Sequence, residues 1–311
     1  MTDVDARRCS AWAQGVDLSP IGTCGSYRGY LLIERPLPWP KDIGEAPALA
    51  GLAGRLTSLG IRLQALVSTA PGDDPAGLRM ILHAPSAKAD GFAGYRRFET
   101  TADDPAGDSL EGSLDRLLAC AEDGQSLDAP QTDLLVCTHG SRDGCCGSLG
   151  TDLALRLAAA QARPGIRHWR TSHTGGHRFA PTFLLLPQGT SWGFADVHLA
   201  RRVVERSVPF AEVAGHYRGC PGLPGPHVQV LERAVLSMVG WELLDECRGG
   251  DLTGELTRDG GTVARLHAGS RSWEGVVRPS RTIPIPDCRK TLAEAKKTTT
   301  EWTVSDVRAV A

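Results

Sequence analysis

In the first part of the chain, short apolar runs alternate with segments whose apolar residues recur at helical spacing. The run over residues 29–34 predicts a buried strand, because it is short and a proline-rich segment closes it. Leucines and alanines at helical spacing over residues 48–59 predict a helix. Further strands are predicted over 61–68, 78–83 and 94–100, and a second helix over 109–121. The order is therefore strand, helix, strand, strand, strand, helix.

The same order returns in the next stretch of the chain. The elements predicted there are strands over 134–137, 166–171, 183–186 and 192–197 and helices over 149–160 and 199–208. Residues 59–62 align with 164–167, and 79–82 align with 182–185, which indicates an internal repeat. This order is the thioredoxin-like one, a central mixed sheet with helices on both faces. The sequence thus predicts an α/β fold with two thioredoxin-like units.

Beyond residue 215 the pattern changes to a small α+β appendage. Its predicted elements are a turn-rich linker over 217–222, an amphipathic helix over 227–244 and short strands near 252–257, 262–267 and 273–278. Residues 1–26 are interpreted as irregular, and the segment 296–300 as solvated. The predicted division is a degenerate thioredoxin-like unit over 1–125, a second unit over 126–214 and the appendage over 215–311.

Charge and composition narrow the classes of function. The formal charge of -2 over 311 residues argues against nucleic acid or an anionic membrane surface as partner. The longest apolar runs are far shorter than the roughly 20 residues of a membrane helix, and the polar start argues against a secretory signal. A cytoplasmic protein is expected. Nine cysteines in such a protein favour metal binding or redox chemistry over disulfides.

The sharpest chemical signal is a set of cysteines and histidines in the second unit. Cys137 ends an apolar run, and a glycine-rich loop leads from it to the vicinal pair Cys145 and Cys146. His173 and His177 follow, separated by Thr-Gly-Gly. Eight residues separate Cys137 from Cys146, and three separate the histidines. Thiolates at a strand end and imidazoles beside another strand can converge on one metal centre.

Two cysteines and two histidines would give a [2Fe-2S] cluster distinctive properties. Neutral imidazoles in place of two thiolates raise the potential, as in Rieske centres at roughly -150 to +300 mV against about -400 mV for plant-type ferredoxins. Each ligated imidazole also keeps a second nitrogen that can carry a proton. The potential should therefore fall as pH rises, which couples electron transfer to proton transfer.

These motifs resemble those of the sucrase/ferredoxin-like family, whose members carry a thioredoxin-like ferredoxin domain with a [2Fe-2S] cluster. The specific part of the resemblance lies within residues 134–196. It implies Cys137, Cys146, His173 and His177 as the cluster ligands. Cys145 is a departure, because an adjacent thiol can compete with Cys146. The sequence offers no carboxylate pair suited to a glycosidase.

The resulting expectation is a one-electron carrier rather than an enzyme, with a flavoprotein reductase as donor and an acceptor left open. Two alternatives stay open as well. A structural zinc site uses the same residue types, although zinc cysteines are usually two to four residues apart. A thiol-disulfide oxidoreductase fits the fold, although the Cys-X-X-Cys signature is absent.

Other residues near the motifs receive simpler interpretations. His139 lies in the cysteine loop and could hydrogen-bond the cluster. Arg142 and Arg178 flank the site, either as solvated charges or as a docking point for an acidic partner. The remaining cysteines are interpreted as structural or as ordinary small apolar residues: Cys9, Cys24, Cys120, Cys220, Cys247 and Cys288.

Overall fold

A computed structural model describes residues 8–70, 77–85, 91–102, 107–123, 131–160, 164–258 and 260–310. These residues form a nine-stranded mixed sheet and a separate four-stranded antiparallel sheet. The strands of the larger sheet are β1 (Gly29–Glu34), β2 (Ile61–Ser68), β3 (Leu78–Pro85), β4 (Tyr95–Ala102), β5 (Thr132–Cys137), β6 (Ile166–Thr171), β7 (Phe183–Leu186), β8 (Thr190–Trp192) and β9 (Tyr217–Gly219). The helices are α1 (Cys9–Gly15), α2 (Ala50–Ser58), α3 (Gly107–Asp123), α4 (Thr151–Ala159), α5 (Val197–Glu205), α6 (Phe210–Val213) and α7 (Gly225–Val239).

The internal repeat is visible in the strand pairing. β1 pairs in parallel with β2 and antiparallel with β3, which pairs antiparallel with β4. β5 pairs in parallel with β6 and antiparallel with β7, which pairs antiparallel with β8. The two thioredoxin-like units predicted from the sequence are therefore confirmed. They join where β2 and β6 run antiparallel, with Leu66 opposite Thr171.

Side chains on both faces of the sheet are buried, as the apolar runs predicted. On β1, Leu31 and Ile33 pack with residues of α2 and α3, whereas Tyr30 and Leu32 belong to the larger core, which continues through the second unit and the appendage. Successive side chains of a strand point to opposite faces, so β1 contributes to two cores at once.

The C-terminal appendage consists of α7 and the second sheet, and it contains more strand than predicted. Its strands are β10 (Arg248–Leu256), β11 (Thr262–Ala268), β12 (Arg271–Ile285) and β13 (Lys297–Val310). The sequence missed β13, because its lysine- and threonine-rich start resembles a solvated tail. The long helix predicted over 227–244 ends at Val239, where Gly240 adopts a φ of 100°, and a 3-10 turn over Trp241–Asp245 follows.

Two other predictions are wrong in detail. Residues 9–15 form α1, although the first 26 residues were expected to be irregular. The strand predicted over 192–197 ends at Trp192, because the Asp196 carboxylate accepts the Leu199 N–H at 2.7 Å and begins α5 instead. The predicted boundary at 125/126 lies outside the described residues, and the division into three domains stays a prediction. None of the described helices is long and apolar enough to cross a membrane.

Candidate metal centre

Cys137 and His173 come from the same edge of the second unit. Cys137 is the last residue of β5 and lies opposite Thr171, the last residue of the parallel strand β6, and His173 follows two residues later. Cys146 begins a π-helical turn, Cys146–Gly150, that leads into α4. The ligand atoms of Cys137, Cys146 and His173 all lie within 4.8 Å of one another. The structure thus brings three of the four predicted ligands together.

Glycines allow the cysteine loop to fold tightly around this group. A Cβ atom on Gly150 would overlap the carbonyl oxygen of Cys137, and one on Gly147 would lie 2.5 Å from the Cα atom of Gly140. Glycine lets one backbone approach another where any side chain would collide. These positions explain why the loop between the two cysteines is glycine-rich.

The side chains of this group fit a metal. Cys137 and Cys146 are fully buried, and the buried Nδ1 atom of His173 has no hydrogen-bond partner among the described residues. Leaving a buried polar atom unpaired costs about 1–3 kcal/mol. Coordination would use the lone pair of that nitrogen.

The pKa values of the two thiols shift in opposite directions. A hydrogen bond from Cys146 holds the pKa of Cys137 well below its usual range, against the effect of burial, and His173 lowers it further. The same hydrogen bond, together with burial, raises the pKa of Cys146 well above its usual range. Cys137 is therefore the thiol of the pair that ionises more readily. A metal ion binds thiolates, so coordination by both cysteines would release their protons.

His139 acts on the backbone of His173. Its Nδ1 accepts the His173 N–H at 3.0 Å, and its Nε2 lies 2.9 Å from the carbonyl oxygen of Pro40. Because Nδ1 accepts, Nε2 carries the proton and donates to Pro40. Burial lowers the pKa of His139, consistent with this neutral form. The expected hydrogen bond from His139 to a cluster is thus replaced, in the structure, by one that fixes the position of His173.

The first thioredoxin-like unit holds His173 from the other side. Arg62 and Gln64, both on β2, donate to the His173 carbonyl oxygen at 2.6 and 3.1 Å. The side-chain oxygen of Gln64, Oε1, accepts hydrogen bonds from the hydroxyl groups of Thr171 and Ser172 at 3.1 and 3.2 Å. The degenerate unit, which supplies no predicted ligand, therefore positions the segment that carries one.

His177, the fourth predicted ligand, lies outside the group of Cys137, Cys146 and His173 and contacts Asp143 and Cys9. Gly175 and Gly176 precede it with φ of 85° and 67°, and its ring centroid lies 6.3 Å from that of His173. Its Nδ1 lies 2.9 Å from a carboxylate oxygen of Asp143 and 3.3 Å from the Cys9 sulfur. A carboxylate only accepts, so Nδ1 carries a proton, and Nε2 is the nitrogen that offers a lone pair in the neutral imidazole.

Cys145 belongs to a different group from Cys146. Its sulfur lies 3.7 Å from that of Cys9 and 3.0 Å from that of Cys288, and the Ser10 hydroxyl donates to it at 3.3 Å. Hydrogen bonds from Cys288 and Cys9 lower the pKa of Cys145 to about 2. Sequence reasoning did not associate Cys9 or Cys288 with the site, because more than 130 residues separate each from Cys145 and no spacing motif connects them.

The two flanking arginines differ in their surroundings. Arg142 is exposed and donates to the Lys41 carbonyl oxygen at 3.3 Å. Arg178 is half-buried and donates to the Thr299 hydroxyl of β13 at 2.9 Å, and burial lowers its pKa to about 10. Arg178 therefore connects the histidine segment to the C-terminal sheet, and Arg142 is the solvated charge of the two.

Comparison with known proteins gives one match. The model of a family described as sucrase/ferredoxin-like matches residues 20–219, which include the whole of the larger sheet and both predicted ligand motifs. No curated protein and no solved structure matches the chain.

Proposed function

This chain belongs to the sucrase/ferredoxin-like family, and we propose that it is a one-electron carrier with a [2Fe-2S] cluster bound by Cys137, Cys146, His173 and His177. The observation that carries the proposal is the compact group of two buried thiols and one half-buried imidazole, whose Nδ1 is buried and has no hydrogen-bond partner among the described residues. When bound, the cluster supplies an acceptor that takes up and returns a single electron.

The chain prepares each ligand for coordination. A hydrogen bond from Cys146 lowers the pKa of Cys137, and His139, Arg62 and Gln64 fix the backbone of His173. The Asp143 carboxylate accepts the Nδ1 proton of His177, so that Nε2 is the nitrogen available to iron. Such outer partners orient ligating imidazoles and increase their basicity.

Imidazole ligands carry the second half of the proposal, the coupling of electron and proton transfer. Each neutral imidazole bound through one nitrogen has a proton on the other, and the affinity for that proton rises when the metal is reduced. The reduction potential should therefore fall as pH rises.

Positive side chains beside His173 favour an acidic electron-transfer partner. A cavity of about 170 Å³ adjoins His173, and its charged lining consists of Lys41, Arg62 and Arg142 together with one carboxylate, Asp42. An excess of one sign of charge around a cleft steers a partner of the opposite sign. The electron donor that we propose is a flavoprotein reductase with an acidic docking surface.

The test is anaerobic reconstitution of the full chain with iron and sulfide. We expect two irons and two sulfides per chain, a red-brown colour that dithionite bleaches, and an EPR signal in the reduced state. Cys146→Ser should lose the iron, and Cys145→Ser should retain it. A colourless chain that binds zinc through Cys137 and Cys146 would refute the proposal in favour of a structural site.

The histidines require a separate measurement, because thiolates can replace them without loss of iron. In His173→Cys and His177→Cys we expect the cluster to be retained, its potential to be lower and its pH dependence to be weaker. Each substitution replaces a neutral ligand with a charged one and removes one ring proton. Parent values of potential and pH response in both variants would show that the histidines are not ligands.

A further inference from the structure

Three thiols from distant parts of the chain meet beside the proposed cluster site. Cys9 begins α1, Cys145 lies in the loop after β5, and Cys288 lies between β12 and β13. Their sulfur atoms are 3.7 Å (Cys9 to Cys145), 3.0 Å (Cys145 to Cys288) and 3.4 Å (Cys9 to Cys288) apart. Sulfur ligands of a tetrahedral zinc ion, each about 2.3 Å from the metal, lie about 3.8 Å from one another. Two sides of the triangle lie within about 0.4 Å of this spacing, and the Cys145–Cys288 side is shorter.

A buried carboxylate provides the fourth donor. Oδ1 of Asp143 lies 3.5 Å from the Cys288 sulfur and 3.9 Å from the Cys9 sulfur. The ligand atoms of Cys9, Asp143, Cys145 and Cys288 all lie within 4.8 Å of one another. Four donors around one point match the closed tetrahedral set of a structural zinc site.

Outer partners hold two of these donors in place. The N–H groups of Cys145 and Cys146 lie 2.9 and 3.4 Å from Oδ1 of Asp143, and His177 donates to Oδ2. The Ser10 hydroxyl donates to the Cys145 sulfur. Metal sites commonly show such hydrogen bonds to their ligands.

We propose that Cys9, Cys145, Cys288 and Asp143 bind one structural zinc ion, separate from the iron-sulfur cluster. Binding releases the thiol protons to solvent and places Zn²⁺ between the N-terminal helix, the cysteine loop and the C-terminal sheet. A closed set of ligands leaves no position for substrate, so the role is structural. The inference does not depend on the proposed electron transfer, because none of the four proposed iron ligands is a ligand of this zinc ion.

The packing around these cysteines is consistent with a metal as the connection. Among the described residues, the small core that contains Cys9, Cys137, Cys145 and Cys146 has Ala180 as its one further fully buried member, and Leu149 and Cys288 are partly buried against it. Few carbon atoms are therefore available there for hydrophobic packing, although three distant segments meet. A metal ion that binds only the folded chain stabilises it by mass action.

The experiment measures zinc and iron on the full chain, reconstituted anaerobically with both metals, by elemental analysis. We expect one zinc ion per chain in the parent. In Cys9→Ser and Cys288→Ser we expect zinc to fall about tenfold or more, with iron, sulfide and the EPR signal retained. Cys247→Ser is the matched control, because Cys247 is a free, half-buried cysteine of the same C-terminal region, and it should keep the zinc.

Cobalt gives a readout that does not require the variants to fold. Co²⁺ in place of zinc in the parent should show thiolate-to-cobalt charge-transfer absorption and the visible bands of a tetrahedral site. Cys288→His, which restores a zinc ligand, should recover zinc relative to Cys288→Ser. A parent chain that binds no zinc, or variants Cys9→Ser and Cys288→Ser that keep it, would overturn the inference. Zinc that is lost only in Cys137→Ser and Cys146→Ser would overturn it too and would refute the iron-sulfur proposal separately.

Discussion

A buried carboxylate between the two thioredoxin-like units provides the strongest stability prediction. Asp133, the second residue of β5, is fully buried and accepts hydrogen bonds from His83 Nε2 at 2.9 Å, Arg97 Nε at 2.8 Å and Trp169 Nε1 at 2.8 Å. His83 and Arg97 lie on β3 and β4, which β1, β2 and β6 separate from β5 in the sheet. The sheet must curve for these side chains to meet, and Asp133 is a point of contact between the units.

The magnitude follows from the shift in pKa. Burial would raise the pKa of Asp133, but His83 and Arg97 together lower it from 3.8 to about 2. At about 1.4 kcal/mol per pKa unit, the ionised carboxylate contributes about 2 kcal/mol to folding. Because the pKa is lower in the folded chain, this contribution is present above about pH 4 and is lost as pH falls toward 2.

Asp133→Asn removes the charge and nearly preserves the shape of the side chain. We expect a loss of about 2–3 kcal/mol in the free energy of unfolding at pH 7, measured by urea denaturation at equal metal content. The difference between parent and variant should shrink as pH falls from about 5 to 2, since the parent carboxylate is then protonated as well.

The control is Asp152→Asn on α4, whose carboxylate is 61% exposed and pairs with Arg156 at 3.0 Å. Exposed helical pairs contribute about 0.5 kcal/mol or less. A loss below about 1 kcal/mol in Asp133→Asn, or a loss that does not change with pH, would refute the reasoning.

Two further predictions concern the metal centre. Gly150→Ala should lower both iron content and melting temperature, because its Cβ would overlap the Cys137 carbonyl oxygen. The control is Gly54→Ala at an exposed helical position with open space, which should stabilise the folded chain by up to about 1 kcal/mol. Equal effects of the two substitutions would contradict the packing argument. His139→Leu should lower the free energy of unfolding by about 1–3 kcal/mol, because it leaves the His173 N–H without its acceptor. It should also alter the EPR signal of the reduced cluster. An unchanged spectrum would show that His139 does not position His173.

The sequence predicted those elements whose signal is local. β1, β2, β6 and β7 begin and end where their apolar runs predicted, because short runs between turn residues are typical of strands buried on both faces. The repeat was recognisable for the same reason. α1 was missed because its seven residues are too few for helical periodicity to show, and its contacts are with the distant turn at His177–Phe179.

The same distinction between local and distant signals applies to the residues of the candidate site. The motifs that contain Cys137, Cys146 and His173 could be recognised, because their residues lie in one unit and close in sequence to strand ends. Cys9 and Cys288 could not, because the tertiary fold alone brings residues 279 positions apart to within 3.4 Å. Asp143 was overlooked although it lies in the cysteine loop, since a lone aspartate carries no metal-binding signature.

The vicinal cysteines, which compete for one site when only the sequence is considered, belong to two separate groups of side chains in the fold. Cys145 has helical dihedral angles, φ -67° and ψ -44°, at the start of a helical segment. Successive side chains of a helix point about 100° apart, so one thiol faces Cys137 while its neighbour faces Cys9 and Cys288. Asp143 accepts both of their N–H groups and thereby fixes both directions. A serine at position 145 and one at position 146 should therefore remove different metals from the same loop.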